Sequence, residues 1–199
     1  MRDPRRADDL VEALLMRIVG GVAKGRRLAA PARGTRPTSD RAREALFNSL
    51  SGLLDLTGIR VLDLFAGTGA VGLEALSRGA AAVTFVESDR DACAALRHNI
   101  DAVGLDGTEI HRRPAATYLV AGGADKPFDF VFADPPYAFG EQPLGVLLTT
   151  LAEPQWLAEH AVVVVERSAR GPEPRWPDSI EPIKQKRYGE GVLWYGRRR

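Results

Sequence analysis

Continuous apolar runs alternate with amphipathic stretches after Gly58, a pattern typical of strands followed by helices. Strands that are apolar throughout belong to parallel sheets that helices cover on both faces. The pattern therefore indicates an α/β fold, a Rossmann-like doubly wound sheet that is mostly parallel and has antiparallel last strands. We predict strands near Arg60–Phe65, Ala82–Val86, Thr108–His111, Phe128–Ala133 and Ala161–Glu166, helices near Ala70–Arg78, Asp89–Val103, Ala115–Val120 and Gln142–Leu151, and a closing hairpin of Ile183–Arg187 with Val192–Tyr195.

The chain before Ser51 follows a different pattern. Residues 1–15 carry no strand pattern, and we expect a disordered extension, with Met16 as a candidate start of the protein. Residues 16–37 hold short apolar stretches broken by glycines, which predicts a small basic β-hairpin appendage. Thr38–Leu50 is predicted to be a helix whose apolar stripe faces the core, with Arg43 on the opposite, polar face. We therefore divide the chain into an extension (1–15), the hairpin appendage (16–37) and a main domain (38–199).

Composition narrows the class of protein. A chain of 199 residues with 45% hydrophobic content can form one domain with a sizeable core. The single cysteine, Cys93, has no disulfide partner, and the sequence shows no spacing of metal ligands. No apolar run approaches the roughly 18 residues that span a bilayer, and acids stand where a secretory signal needs apolar residues. We therefore expect a cytoplasmic protein without a metal and without membrane contact. We also expect it to be a monomer.

The net charge of +1 hides an uneven distribution. Between Met16 and Arg43 there are eight basic residues and one acid, and the last sixteen residues hold six basic residues and one acid. From Glu44 to Ile183 the balance reverses, with twenty acids and ten bases. Positive charge at the two ends of the chain predicts a polyanionic partner held against the main domain.

Residues Val61–Gly72 read VLDLFAGTGAVG, a strand that contains Asp63 and breaks into a glycine turn before a helix. The glycines let a ligand approach the main chain, and the amides at the start of the helix can bind an anionic group. Gly67-x-Gly69-x-x-Gly72, with Glu87 at the end of the next strand, also fits the dinucleotide fingerprint. An NAD-dependent oxidoreductase is therefore one interpretation of this turn.

A second motif, Asp134-Pro135-Pro136-Tyr137, follows the fourth predicted strand of the sheet. The prolines restrict the backbone so that the Asp134 side chain and the Pro135 carbonyl can face one pocket. Two acceptors on the N–H groups of an exocyclic base amine would direct its lone pair toward a methyl donor, and Tyr137 could stack on a flipped base. Together with Asp63, this motif is similar to those of methyltransferases that use S-adenosylmethionine (SAM) to modify exocyclic amino groups.

The longer motifs resemble one family, the RsmD-type 16S ribosomal RNA guanine-N2 methyltransferases. They are MRIVGG with GRRL, RPTSDRAREALFN (Arg36–Asn48), VLDLFAGTGAVGLEALSRGA (Val61–Ala80), FVESD (Phe85–Asp89) and FADPPY (Phe132–Tyr137). The resemblance implies a class I SAM-dependent methyltransferase fold. It also implies methyl transfer from SAM to the N2 of one guanine in 16S rRNA, within a partly assembled small ribosomal subunit.

The resemblance and the strand ends together give a predicted site. The catalytic residues are Asp134, Pro135 and Tyr137. The cofactor-binding residues are Asp63, Gly67, Thr68, Gly69, Glu87, Ser88, Ala115 and Ala116. The RNA-binding residues are Arg17, Lys24, Arg26, Arg27, Arg36 and Arg43.

This chain departs from the family pattern after the third strand. Relatives often place an acid or an amide there to bind adenine, whereas this chain reads His111-Arg112-Arg113-Pro114. We expect backbone groups of Ala115 and Ala116 to replace that side chain, and either Thr38 or Arg43 to close over the SAM carboxylate.

Three other functions remain open at the level of the sequence. Asp-Pro-Pro-Tyr also serves DNA adenine and cytosine amino-methyltransferases. The glycine turn admits an NAD-dependent oxidoreductase, and the basic ends admit a non-catalytic rRNA-binding assembly factor.

Overall fold

The computed structural model of the protein describes residues 16–30, 40–122 and 125–199. The predicted extension 1–15, Arg36 and Thr38 lie outside the described residues. The elements in chain order are β1 (Met16–Arg17), β2 (Arg27–Leu28), α1 (Asp40–Leu50), β3 (Arg60–Leu64), α2 (Ala70–Ser77), β4 (Ala82–Glu87), α3 (Arg90–Val103), β5 (Thr108–Arg112), α4 (Ala115–Ala121), β6 (Phe128–Ala133), α5 (Glu141–Leu151), β7 (Leu157–Ser168), β8 (Ile180–Tyr188) and β9 (Gly191–Arg198).

A seven-stranded sheet in the order β5-β4-β3-β6-β7-β9-β8 forms the centre of the described fold. The strands from β5 to β7 pair in parallel, and β9 pairs antiparallel with both β7 and β8. This confirms the predicted doubly wound sheet with antiparallel last strands. The hairpin strands extend beyond their predicted bounds. An apolar pattern reveals only part of the edge strand β8, because most of its residues are exposed and several of them are polar.

Side chains of the central strands alternate between two apolar cores. Val61, Phe130 and Val162 face the core that α1, α2 and α3 cover. Their neighbours along the same strands face the core that α4 and α5 cover. Burial on both faces explains why these strands read as continuous apolar runs. In the described ranges, no helix combines the length and apolar character needed to cross a bilayer.

The segment 16–30, here called the ribbon, packs against α2 and α3. Its strands pair through Met16↔Leu28 and Arg17↔Arg27, and its apolar side chains join the first core. The amides of Val19 and Gly20 donate to the buried carboxylate of Glu74 in α2, at 2.7 Å each. The ribbon is therefore held by buried polar contacts as well as by apolar packing.

The prediction for Arg43 is wrong. This side chain was expected on the polar face of α1, but it is completely buried. Its guanidinium donates to Asp40 at 2.8 Å and to the Arg17 carbonyl, and lies 3.8 Å from the carboxylate of Glu74. A buried guanidinium needs such partners because the cost of removing it from water is large. Arg43 thus links α1, α2 and the ribbon, and its burial corrects its assignment to RNA binding.

Candidate active site

The carboxyl ends of four parallel strands meet at one edge of the sheet. Leu64 of β3 pairs with Val86 of β4 and with Ala133 of β6, and Ala133 pairs with Val165 of β7. The next residues along these strands therefore lie side by side: the glycine turn, Glu87, Asp134 and Glu166. This edge is where doubly wound sheets bind their ligands.

The glycine turn after β3 has a conformation that side chains would disturb. Gly67 and Gly69 have φ angles of +55° and +77°, in the left-handed region that favours glycine. A Cβ on Gly69 would lie 2.2 Å from the Leu96 side chain, whereas a Cβ on Gly67 would meet no atom within 4 Å. Gly69 thus packs the turn against α3, while Gly67 faces open space in which a ligand can approach the main chain.

Two predicted carboxylates stabilise this turn. The buried carboxylate of Asp63 accepts a hydrogen bond from the Gly72 amide at 2.9 Å. Glu87 accepts from the amides of Gly67, Ser88 and Asp89, at 2.7–2.8 Å. An ionised carboxylate has about four acceptor sites, so Glu87 keeps capacity for a further donor. Its role toward a ribose hydroxyl stays a prediction.

Two acids at this edge have raised pKa values. Burial raises the pKa of Asp63 well above its ordinary value, and Asp134 and Glu87 act in the same direction, while the Gly72 amide opposes them. Burial, followed by the charge of Glu166, raises the pKa of Asp134 to about 8, and Arg167 lowers it. The edge is thus rich in acids that hold their protons tightly, and a cationic ligand there would favour the ionised carboxylates.

The Asp-Pro-Pro-Tyr motif forms a turn between β6 and α5, here called the DPPY turn (residues 134–139). The Asp134 amide donates to the Leu64 carbonyl at 3.4 Å, and the Phe139 amide donates to the Pro136 carbonyl at 2.7 Å. Between them, Tyr137 projects outward with 58% of its surface exposed. The turn is therefore anchored at both ends and open at its aromatic residue.

Sequence reasoning missed the contacts that Phe65, Phe139 and Arg167 make around this turn. Phe65, which has a φ of +59°, packs its ring edge-on against Phe139, with ring centroids 5.4 Å apart. Arg167 of β7 donates to the Phe139 carbonyl at 2.7 Å and to Glu141 at 3.0 Å. A charged pair directly after four valines, Glu166-Arg167, was the available signal for this contact.

Ala115 and Ala116 begin α4 at the end of β5. No side chain makes a capping hydrogen bond at the start of this helix, where the first amides have no acceptor within the helix. An apolar cleft of about 380 Å³ between α4 and α5 is lined by Ala116, Leu119 and Phe139 among others. The contribution of Ala115 and Ala116 to cofactor binding stays a prediction.

The predicted RNA-binding residues of the ribbon are exposed. Lys24, Arg26 and Arg27 lie on the surface, and the Arg17 side chain is 69% exposed and 3.7 Å from Asp40. Arg26 also donates to the Val103 carbonyl at the end of α3. These four residues form a basic surface, whereas the buried Arg43 does not contribute to it.

Comparison with known proteins extends this description. Residues 16–197 match a family model described as conserved hypothetical protein 95. The chain is 36% identical over 176 residues to ribosomal RNA small subunit methyltransferase D of Escherichia coli K12, covering 88% of this chain and 86% of the relative. It is also 36% identical over 154 residues to the Haemophilus influenzae protein of the same name, covering 76% and 78%.

A solved structure shares the fold. The Escherichia coli protein yhhF superposes with a TM-score of 0.81 at 35% identity, covering 92% of this chain and 98% of that chain. Together with the sheet order, this similarity confirms the predicted class I methyltransferase fold.

Proposed function

This chain belongs to the RsmD-type family of ribosomal RNA methyltransferases, and we propose that it transfers a methyl group from SAM to the exocyclic N2 of a specific guanine in 16S rRNA. The observation that carries this proposal is the placement of the glycine turn and Asp134 at the ends of paired strands, with Leu64 opposite Ala133. A methyl donor on the turn and an amine on Asp134 would then be neighbours.

The residues around the glycine turn fit SAM. Gly67 leaves space beside the main chain, Glu87 keeps an acceptor for a ribose hydroxyl, and the α2 amides suit a carboxylate. When bound, SAM supplies an electrophilic methyl group on a positively charged sulfur. The acids of this edge are the groups that would stabilise that charge, and the full proposed set is Asp63, Gly67, Thr68, Gly69, Glu87, Ser88, Ala115 and Ala116.

Asp134, Pro135 and Tyr137 would position the guanine. The lone pair of the N2 amine is delocalised into the ring, so its N–H groups must be held to direct it. The ionised carboxylate of Asp134 and the carbonyl of Pro135 are suitable acceptors, and the exposed ring of Tyr137 can stack on the base. Methylation of N2 would release one N2 proton, and the carboxylate of Asp134 would accept it.

The basic surface of the ribbon, Arg17, Lys24, Arg26 and Arg27, would contact RNA phosphates. Arg36 is part of the same proposal but lies outside the described residues. We propose that the protein acts as a monomer on a partly assembled small subunit, in which the target base would be accessible to the DPPY turn.

The test is methyl transfer from labelled SAM to small ribosomal subunits from cells that lack this protein, followed by mapping of the modified nucleotide. We expect one N2-methylguanine in 16S rRNA. Duplex DNA as acceptor tests the DNA amino-methyltransferase, and calorimetric titration with SAM and with NAD tests the oxidoreductase. Labelling of DNA alone, or binding of NAD without SAM, would overturn the proposal, and binding of rRNA without methyl transfer would favour an assembly factor.

A further inference from the structure

Arg167 is a buried cation near the end of β7, shortly after the apolar run Ala161–Val165. Its side chain is 8% exposed, and it follows Val162–Val165 and Glu166 in β7. One nitrogen, Nη2, donates both to the Phe139 carbonyl at 2.7 Å and to the Glu141 carboxylate at 3.0 Å. Burying a guanidinium is costly unless partners compensate for the lost water, and these two contacts provide that compensation. A buried charge is weak evidence for stability alone, and a role in the neighbouring site would account for its burial.

Both partners of Arg167 belong to the far end of the DPPY turn. The Phe139 amide closes the turn on the Pro136 carbonyl, and the Phe139 ring rests against Phe65, beside the glycine turn. Glu141 is the first residue of α5. Arg167 thus joins β7 to the residues that follow Tyr137. The other end of the turn is held by the Asp134 amide, which donates to the Leu64 carbonyl of β3.

We propose that Arg167 is a positioning residue that holds the DPPY turn so that Asp134 and Tyr137 face the target base. This inference rests on the proposed function, because it specifies how the substrate side of that site is kept in place. We expect a lysine to replace it poorly, because its ammonium group is more strongly hydrated and its side chain is one bond shorter than the arginine chain to Nη2, the nitrogen that makes both contacts.

Arg167 also acts on Asp134 through its charge. Three groups face Asp134: Asp63 on β3, and Glu166 and Arg167 on β7. Among the named causes, burial and Glu166 raise the pKa of Asp134, and Arg167 lowers it. Arg167 and its contacts with Phe139 and Glu141, here called the clamp, therefore have a mechanical effect on the DPPY turn and an electrostatic effect on Asp134. Substitutions can separate the two effects.

The experiment compares Arg167→Lys, which keeps the charge, with Arg167→Met, which removes it at similar volume. Arg170→Met is the matched control, because Arg170 is an exposed arginine in the turn directly after β7. Four quantities are measured: amide hydrogen exchange of Phe139, the NMR titration midpoint of the Asp134 carboxyl, the Kd for SAM, and kcat/KM with small ribosomal subunits.

In both Arg167 variants we expect exchange of the Phe139 amide to accelerate about tenfold. The turn that this amide closes on the Pro136 carbonyl loses the hydrogen bond from Arg167 to the Phe139 carbonyl, and it therefore opens more often. We expect kcat/KM to fall roughly tenfold or more. The amides of Gly67 and Gly72 should stay protected and the Kd for SAM unchanged. The Asp134 midpoint should move to higher pH in Arg167→Met and stay near the wild-type value in Arg167→Lys. Arg170→Met should match the wild type throughout.

Unchanged Phe139 exchange in both variants would overturn the clamp, and so would a loss of SAM affinity as large as the loss of kcat/KM, since that indicates general damage. Exchange and titration do not depend on methyl transfer. A wild type that methylates no small subunit would overturn the proposed function, whereas normal methylation with an unresponsive Phe139 amide would overturn the role of Arg167 alone.

Discussion

The glycine turn and the DPPY turn begin at the ends of neighbouring strands, yet they are held in different ways. In the glycine turn, the carboxylates of Asp63 and Glu87 accept the amides of Gly72 and Gly67, and Gly69 fits against Leu96. In the DPPY turn, the aromatic residue is exposed and Arg167 holds the end of the turn. The first turn is built from contacts inside the fold, and the second presents its aromatic ring outward.

This difference matches the two ligands of the proposed reaction. A small cofactor can bind a preformed turn, because little of the protein has to move around it. A base from a large RNA must enter and leave, which requires an open side. The DPPY turn also has an electrostatic cost. The proposed reaction needs the ionised form of Asp134, whereas burial and the charge of Glu166 oppose its ionisation.

The largest expected effect lies in the DPPY turn. Asp134→Asn keeps the shape of the side chain but loses the anionic acceptor, so we expect kcat for methyl transfer to fall by about 1,000-fold. Single-turnover assays with small subunits measure this, and calorimetry should show SAM affinity close to that of the wild type. Asp106→Asn, at an exposed position, is the control. A nearly normal rate in Asp134→Asn would remove the distinction between the two turns.

The glycine turn should instead respond through stability. Gly69→Ala adds a Cβ 2.2 Å from Leu96 at a φ of +77°, so we expect the free energy of unfolding to fall by about 3 kcal/mol. Gly25→Ala is the matched control, since its φ of +87° has no atom within 4 Å of the new Cβ. Its cost should be about 1 kcal/mol. Equal losses in urea unfolding would show that the contact with Leu96 carries no strain.

Rising pH should affect activity and stability in opposite directions at Asp134. The ionised acid is the active form, so kcat/KM should rise to a plateau above a pH of about 8. Below it, the value should fall about tenfold per pH unit. The folded protein binds this proton more tightly than the unfolded chain, so the stability that Asp134 contributes is complete below 3.8 and is lost as pH rises through about 8.

Kinetics and urea unfolding between about pH 6 and 9 test the pH dependence of kcat/KM and that of the free energy of unfolding. Asp134→Asn should flatten the pH dependence of its residual activity and reduce the slope of stability. An activity profile that keeps its midpoint in this variant would assign the titration to another group.

The smallest effect is expected at the exposed ring of the DPPY turn. Stacking on a base contributes about 1–3 kcal/mol, so Tyr137→Ala should raise KM for small subunits about tenfold. Tyr137→Phe keeps the ring and should stay within about twofold of the wild type. If both variants lost activity equally, the hydroxyl rather than the ring would be the important group, and Tyr137 would not be a stacking platform.

Much of the fold followed from local patterns. The main-domain strands and helices were found within a few residues of their predicted ends, because residues buried on both faces of a sheet must be apolar throughout. β7 and the β8–β9 hairpin were underestimated, because strand ends and edge strands carry polar residues. The motif residues came together because parallel strands end at one edge.

Contacts between distant segments did not follow from local patterns. Arg43 reads as a surface residue of an amphipathic helix, and its burial depends on Glu74, 31 positions away in a helix that packs beside it. Arg167 likewise acquires its role from the Phe139 carbonyl, a backbone group that no side-chain pattern reports.

The chain by itself therefore determined the alternation of strands and helices, the family and the chemical groups at the ends of the strands, because these depend on hydrophobic periodicity and on short motifs. Tertiary structure alone decided which charged side chains are buried and which turn each one holds. That choice depends on the partners that meet across the packed elements, since a charge enters the interior only where another segment compensates it.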